Sequence, residues 1–113
     1  MKISGFTFVR NAILFDYPFI ESIYSLLPIC DEIIIAVGDS SDDTKKRLLK
    51  LNDPKLRLFD TVWDHKNRSG GRILAEQTNL ALDKVSGEWA IYLQADEILH
   101  EKDYQLRLQK RVP

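Results

Sequence analysis

The sequence predicts an α/β domain built on a parallel sheet, and three observations carry that prediction. Strand-like and helix-like patterns alternate along the chain, the arrangement that builds βαβ units. Two apolar runs, Glu32 to Val37 and Trp89 to Leu93, lack the polar alternation of a half-exposed strand, as expected when both faces are covered. Both runs end in acidic turns, Gly38 to Thr44 and Gln94 to Glu97, at the carboxyl edge where open α/β sheets bind their ligands.

The elements follow in order. Ile3 to Val9 is the first strand. Asp16 is placed to cap a helix whose first turn tolerates Pro18; Phe19, Ile20, Ile23, Tyr24 and Leu27 form its apolar stripe before Pro28 stops it. The second strand runs from about Glu32 to Val37. Ser41 is expected to cap a short second helix with Leu48, Leu49 and Leu51 inward, ended by Asn52-Asp53-Pro54. Leu56 to Phe59 gives a short third strand. After a polar loop, Thr61 to Gly71, a third helix places Leu74, Thr78, Ala81, Leu82 and Val85 on one face, and Gly87 supplies a left-handed cap. The fourth strand is Trp89 to Leu93. Glu101 to Val112 reads as a marginal helix, with acids first and bases last as the helix dipole prefers.

With right-handed crossovers, four such strands most simply order as 3-2-1-4. The direction of winding reverses beside strand 1 and opens a crevice between strands 1 and 4. Arg10-Asn11, Gly38 to Asp42 and Gln94 to Glu97 should rim it.

At 113 residues the chain fits one domain, residues 1–113, with a single core. Its net charge of -1, with both signs interspersed, argues against a nucleic-acid face or an anionic membrane partner. No apolar stretch approaches the roughly 20 residues of a transmembrane helix. The start lacks the pattern of a signal peptide, so the expected location is cytoplasmic. The single cysteine, Cys30, has no internal disulfide partner and is expected to be a core residue.

Residues two apart on a strand share a side, so Gln94 and Asp96 face together. A carboxylate at that strand end suits Mg²⁺ or Mn²⁺ held jointly with substrate phosphates, because these hard cations take oxygen ligands and retain water. The alternative is that Asp96 and Glu97 cap the downstream turn. Asp39 is free to accept hydrogen bonds from a ribose hydroxyl or a base N–H. Asp42 and Asp43 share that turn, where carboxylates equally serve to satisfy a helix's free N–H groups. Arg68 and Arg72 flank Gly70-Gly71 and are either anion contacts or solvated surface residues. His65 and His100 lack ligand spacing. No glycine-rich phosphate loop of dinucleotide or Walker type is present, which disfavours dehydrogenase and NTPase readings.

Taken together, these residues resemble the family 2 glycosyltransferases of the GT-A fold. The resemblance lies in Phe8-Val9-Arg10-Asn11, the acidic turn Val37 to Thr44, Arg72 with Ala75 and Asn79, Gly87-Glu88-Trp89, and Gln94-Ala95-Asp96-Glu97, in order across about residues 3 to 101. It implies a Rossmann-like GT-A half in which Val9, Arg10, Asn11 and Asp39 contact the base and ribose. Asp42 and Gln94 belong to the same nucleotide site, Arg72 meets the base or pyrophosphate, and Asp96 holds a divalent metal, Mn²⁺ or Mg²⁺. The expected donor is a nucleotide sugar, most simply a UDP-sugar, with the acceptor unknown. Two departures stand out: Gln94 replaces the first Asp of the metal motif, and Gly38 stands where an Asp is common.

Family members continue for about as many residues again, with the acceptor site and catalytic base in that part. The chain therefore reads as a donor-binding half, truncated after the metal motif and prone to self-association, with no catalytic residue assigned. A stand-alone nucleotide-binding module without transfer is the alternative. A signalling receiver-like domain is a third, weakened by the absence of a lysine-bearing strand after Glu97.

Overall fold

A computed structural model describes residues 2–14, 16–63, 70–94 and 108–110. Their elements are β1 (Ile3–Val9), α1 (Phe19–Leu26), β2 (Glu32–Gly38), α2 (Thr44–Lys50), β3 (Leu56–Thr61), α3 (Gly70–Asp83), β4 (Trp89–Tyr92) and β5 (Leu108–Lys110). The sheet order is β3-β2-β1-β4-β5. The first four strands are mutually parallel, in the expected order 3-2-1-4, with Phe6 of β1 paired to Ile34 of β2 and to Tyr92 of β4. β5 adds antiparallel to β4, pairing Trp89 with Lys110. Residues 108–110 are therefore strand where a helix was expected; the remainder of 101–112 lies outside the described residues.

β2 is central and buried along its whole length, which explains its uninterrupted apolar run. Alternation then divides its side chains between two layers. Ile33, Ile35 and Val37 pack with Val9, Ile91 and Leu93 against Phe19, Ile23 and Leu26 of α1 and Leu48 of α2. Ile34 and Ala36 pack with Phe6 and Ala90 against Ala81 of α3 and Val85. Burying one such isoleucine is worth roughly 1.5–3 kcal/mol over leaving it exposed.

The helices differ from expectation in how they start and which face they bury. Asp16 does not cap α1: it sits in a turn at φ 57, and the N-cap position is Pro18, with no side-chain cap. Tyr24 faces solvent. Ser41 does not cap α2 either: the N-cap position is Asp43, with no side-chain cap, and Ser41 instead donates its N–H and its hydroxyl to Asn11 Oδ1. Asp42 serves the helix start instead, accepting the Thr44 N–H at 3.0 Å. Leu48 is buried and Leu49 is exposed. On α3 the buried positions are Ile73, Gln77 and Ala81, spaced by four, while Leu74 and Leu82 are exposed.

The amino ends of the strands are tied by a buried carboxylate. Glu32, 3% exposed, accepts hydrogen bonds from Ser4 Oγ (2.5 Å), Ser86 N (2.8 Å) and Ser86 Oγ (2.7 Å). Gly87 closes the same cluster, its N–H donating to Ser4 Oγ at 2.9 Å. Its φ is not left-handed; glycine is required because a Cβ there would lie 2.6 Å from Ser4 Oγ and 2.8 Å from the Lys2 carbonyl.

Candidate functional site

The carboxyl ends of β1 and β4 form a pocket of about 200 Å³, where the 3-2-1-4 order predicts a crevice. Phe8, Val9 and Arg10 come from β1 and its exit, Tyr92 and Gln94 from β4 and its exit, and Trp63 from the exit of β3. Tyr17 and Leu74 complete the lining. The walls are aromatic because residues on the α3 side of the sheet fall in register: Phe6 and Tyr92 have centroids 5.3 Å apart, Phe8 stacks on Tyr92 at 6.4 Å, and Trp63 meets Phe8 edge-on at 6.0 Å. Sites for small ligands are typically about 300–1,000 Å³, so this volume suits one ring of a ligand rather than a whole nucleotide sugar.

Polar groups gather on the β2 side. Arg10 Nε donates to the Asp39 carbonyl at 2.9 Å and lies 3.5 Å from Asp39 Oδ1, while its guanidinium sits 5.2 Å from the Trp63 ring centroid. Asp39, about half exposed, also accepts the Trp63 backbone N–H at 3.1 Å. On the β4 side, Ser22 of α1 donates to the Gln94 carbonyl at 3.2 Å and ties the exit of β4 to α1.

Asn11 and Asp42 act between the loops. Asn11, at φ 50 and 7% exposed, donates its N–H to Ser40 Oγ and accepts from Ser41 N at 2.7 Å. Asp42 accepts from Leu14 N (2.9 Å) and from Thr44 N and Oγ1. Burial pushes the Asp42 pKa up, but the Thr44 hydroxyl and the Leu14, Thr44 and Ile13 N–H groups outweigh it and hold the carboxyl below the usual aspartate value. The Thr44 hydroxyl is itself buried, and it accepts from Ala12 N at 3.0 Å. The β1 exit and the acidic turn thus form one cross-linked unit.

The structure brings Val9, Arg10 and Gln94 into the pocket, with Asp39 bound to Arg10 beside it. It places Arg72 elsewhere, on a surface of α3 with Ala75, Glu76 and Asn79. Asp96, Glu97, Arg68, His65 and His100 lie outside the described residues. Among the described residues no group of three or more His, Cys, Asp or Glu side chains could hold a metal ion. Sequence reading passed over Phe8, Tyr17, Trp63 and Tyr92 as pocket walls. A tryptophan in the mostly polar loop after β3 was the available signal.

No protein-family model and no curated protein matches the chain. Solved structures do match it. S. aureus TarS 1–349 in complex with UDP gives a TM-score of 0.69 at 20% identity, over 94% of this chain and 31% of that one. Glucosyl-3-phosphoglycerate synthase from Mycobacterium tuberculosis, in complex with Mn²⁺, UDP and phosphoglyceric acid, gives 0.58 at 20% identity over 86% and 34%. The mannosyltransferase PcManGT from Pyrobaculum calidifontis, with GDP-Man and Mn²⁺, gives 0.58 at 22% identity over 94% and 30%. This chain therefore spans about a third of each of these three solved chains. At these identities the likeness is one of fold: the chain has the fold of the amino-terminal portion of GT-A glycosyltransferases.

Proposed function

We propose that this chain is the donor-binding half of a family 2-like glycosyltransferase and binds a nucleoside diphosphate sugar, most simply a UDP-sugar, together with a divalent metal. The observation that carries the reading is the ring-sized aromatic pocket at the β1/β4 switch point with the Arg10–Asp39 pair beside it. The base enters between Phe8, Tyr92 and Trp63. Asp39, exposed and at a strand end, accepts from the base or ribose. Asn11 and Asp42 contribute by holding the loops, and Arg72 belongs to the site through the family resemblance alone.

Two supports recommend the metal: the sequence position of Asp96, four residues after the end of β4 and two after Gln94, and the Mn²⁺ in the glucosyl-3-phosphoglycerate synthase and PcManGT structures. Such an ion, when bound, supplies positive charge to a diphosphate leaving group. Transfer to an acceptor hydroxyl is proposed for the whole protein.

Binding to the native state raises its stability, by about 2.7 kcal/mol at a ligand concentration 100 times Kd. UDP should accordingly raise the melting temperature with Mn²⁺ present and hardly in excess EDTA. Asp39→Ala should weaken UDP binding about 10- to 150-fold by calorimetry, the worth of a charged hydrogen bond. Equal protection in EDTA, or metal dependence that survives Asp96→Ala, would sink the metal role; unchanged affinity in Asp39→Ala would reduce Asp39 to a turn residue.

A further inference from the structure

We propose that Trp63 is a positioning residue for the nucleotide subsite, and that position 38 is glycine because the indole occupies the space of a side chain there. The inference rests on the nucleotide reading for its ligand, while its steric half stands on the structure alone. Trp63 meets three parts of the site at once. Its backbone N–H donates to Asp39 Oδ1 at 3.1 Å, its ring lies 5.2 Å from the Arg10 guanidinium, and its indole edge lies against Gly38. A Cβ at position 38 would fall 2.5 Å from Nε1 and 2.9 Å from Cδ1 of Trp63, and 3.1 Å from the Arg10 Cβ. An indole is rigid and has no flexible end to swing aside. A side chain at 38 and the indole in this place therefore exclude each other.

The indole N–H is buried and has no hydrogen-bond acceptor among the described residues. An unpartnered buried donor is unfavourable. Among the described residues the ring packs against Phe8 and makes a cation–π contact with Arg10, and neither needs the N–H. Arg10 is gripped through Nε on the Asp39 carbonyl and through its guanidinium on the ring. Fixing a long side chain before the ligand arrives lowers the ordering cost of binding. Where the resemblance leads one to expect a carboxylate at position 38, this chain presents an aromatic surface and a pre-set cation.

A double-mutant cycle tests the idea, with UDP affinity in Mn²⁺ as one readout. Gly38→Ala and Trp63→Ala should each weaken binding about 10-fold, and the double variant should bind about as well as Trp63→Ala, because the two contacts under 3.0 Å that a Cβ at position 38 would make are both with the indole. Trp63→Phe, which keeps an aromatic ring and the backbone N–H, should recover most of the affinity. Additive losses, wild-type binding by Gly38→Ala, or a Trp63→Phe as weak as Trp63→Ala would overturn the proposal. The second readout needs no ligand. The Trp63 indole N–H resonance, identified with Trp89→Phe, should exchange slowly in the wild type and fast in Gly38→Ala, and unchanged exchange would refute the steric exclusion. Failure of the wild type to bind UDP would count against the nucleotide reading, and the exchange experiment would still decide the Gly38–Trp63 relation.

Discussion

Glu32 shows how one carboxylate can be worth keeping inside a sheet. Burial pushes its pKa up, yet the hydroxyl of Ser4, the N–H and hydroxyl of Ser86 and the charge of Lys2 hold it below the usual glutamate value of 4.5. Because the folded value is depressed, the unfolded chain binds more protons between the two values, and stability rises with pH there. The Glu32 contribution is therefore complete above about pH 5 and is lost as pH falls through the folded value. Glu32→Gln should cost about 1.5–3 kcal/mol at pH 7 and show a shallower loss of stability on acidification. Denaturant melts of both proteins from pH 7 to 3 check this; parallel pH profiles would exclude Glu32 as an acid-sensitive tie. Cys30 makes the opposite case. Burial pushes its thiol up to about 12, outweighing the nearby Lys55 charge, so it stays protonated and inert. A maleimide should label it only at the rate of unfolding, and rapid labelling of the native protein would contradict its place in the core.

At the scale of elements, the β1 exit and the acidic turn depend on one asparagine. Asn11 combines a left-handed backbone with a side chain that accepts from Ser41, two demands that substitutions separate. Asn11→Gly loses the bridge and adds glycine's extra unfolded-chain freedom, about 0.4–1 kcal/mol, whereas Asn11→Ala loses the bridge and meets the larger left-handed penalty, about 1–2 kcal/mol for a residue with a Cβ. The alanine variant should therefore melt lower than the glycine variant, and equal melting temperatures would show that the loop relaxes out of that conformation. The same scale explains what the sequence made legible. β2 could be read because a strand buried on both faces needs a continuous apolar run, and the strand order followed from crossover handedness. The helix faces were harder. Leu49, Leu74 and Leu82 are apolar but exposed, and Gln77 is polar but buried because it accepts the Thr61 hydroxyl at 2.6 Å. β5, three residues long, carries no period to detect. Arg10, Asp39 and Gln94 were legible as strand-end residues; Trp63 was not, because its role depends on a glycine 25 positions away that only the sheet brings beside it.

Across the whole molecule, the two ends of β2 divide the labour. Glu32 fastens the amino ends of β1, β2 and the approach to β4, and Asp39 leaves the carboxyl end beside the pocket. The two lie seven positions apart along an extended chain, roughly 23 Å at the usual rise. Side chains so separated should act independently, their effects adding within about 0.3–0.5 kcal/mol. Glu32→Gln should lower unfolding free energy and leave UDP affinity intact. Asp39→Ala, at a half-exposed site whose ion pair is worth about 0–1 kcal/mol, should weaken UDP binding and barely move stability. The double variant should show both losses in full, read by denaturant unfolding and by calorimetry on the same samples. A loss of UDP affinity in Glu32→Gln, or a coupling well beyond the additive range, would mean that β2 transmits strain from the fastened end to the pocket.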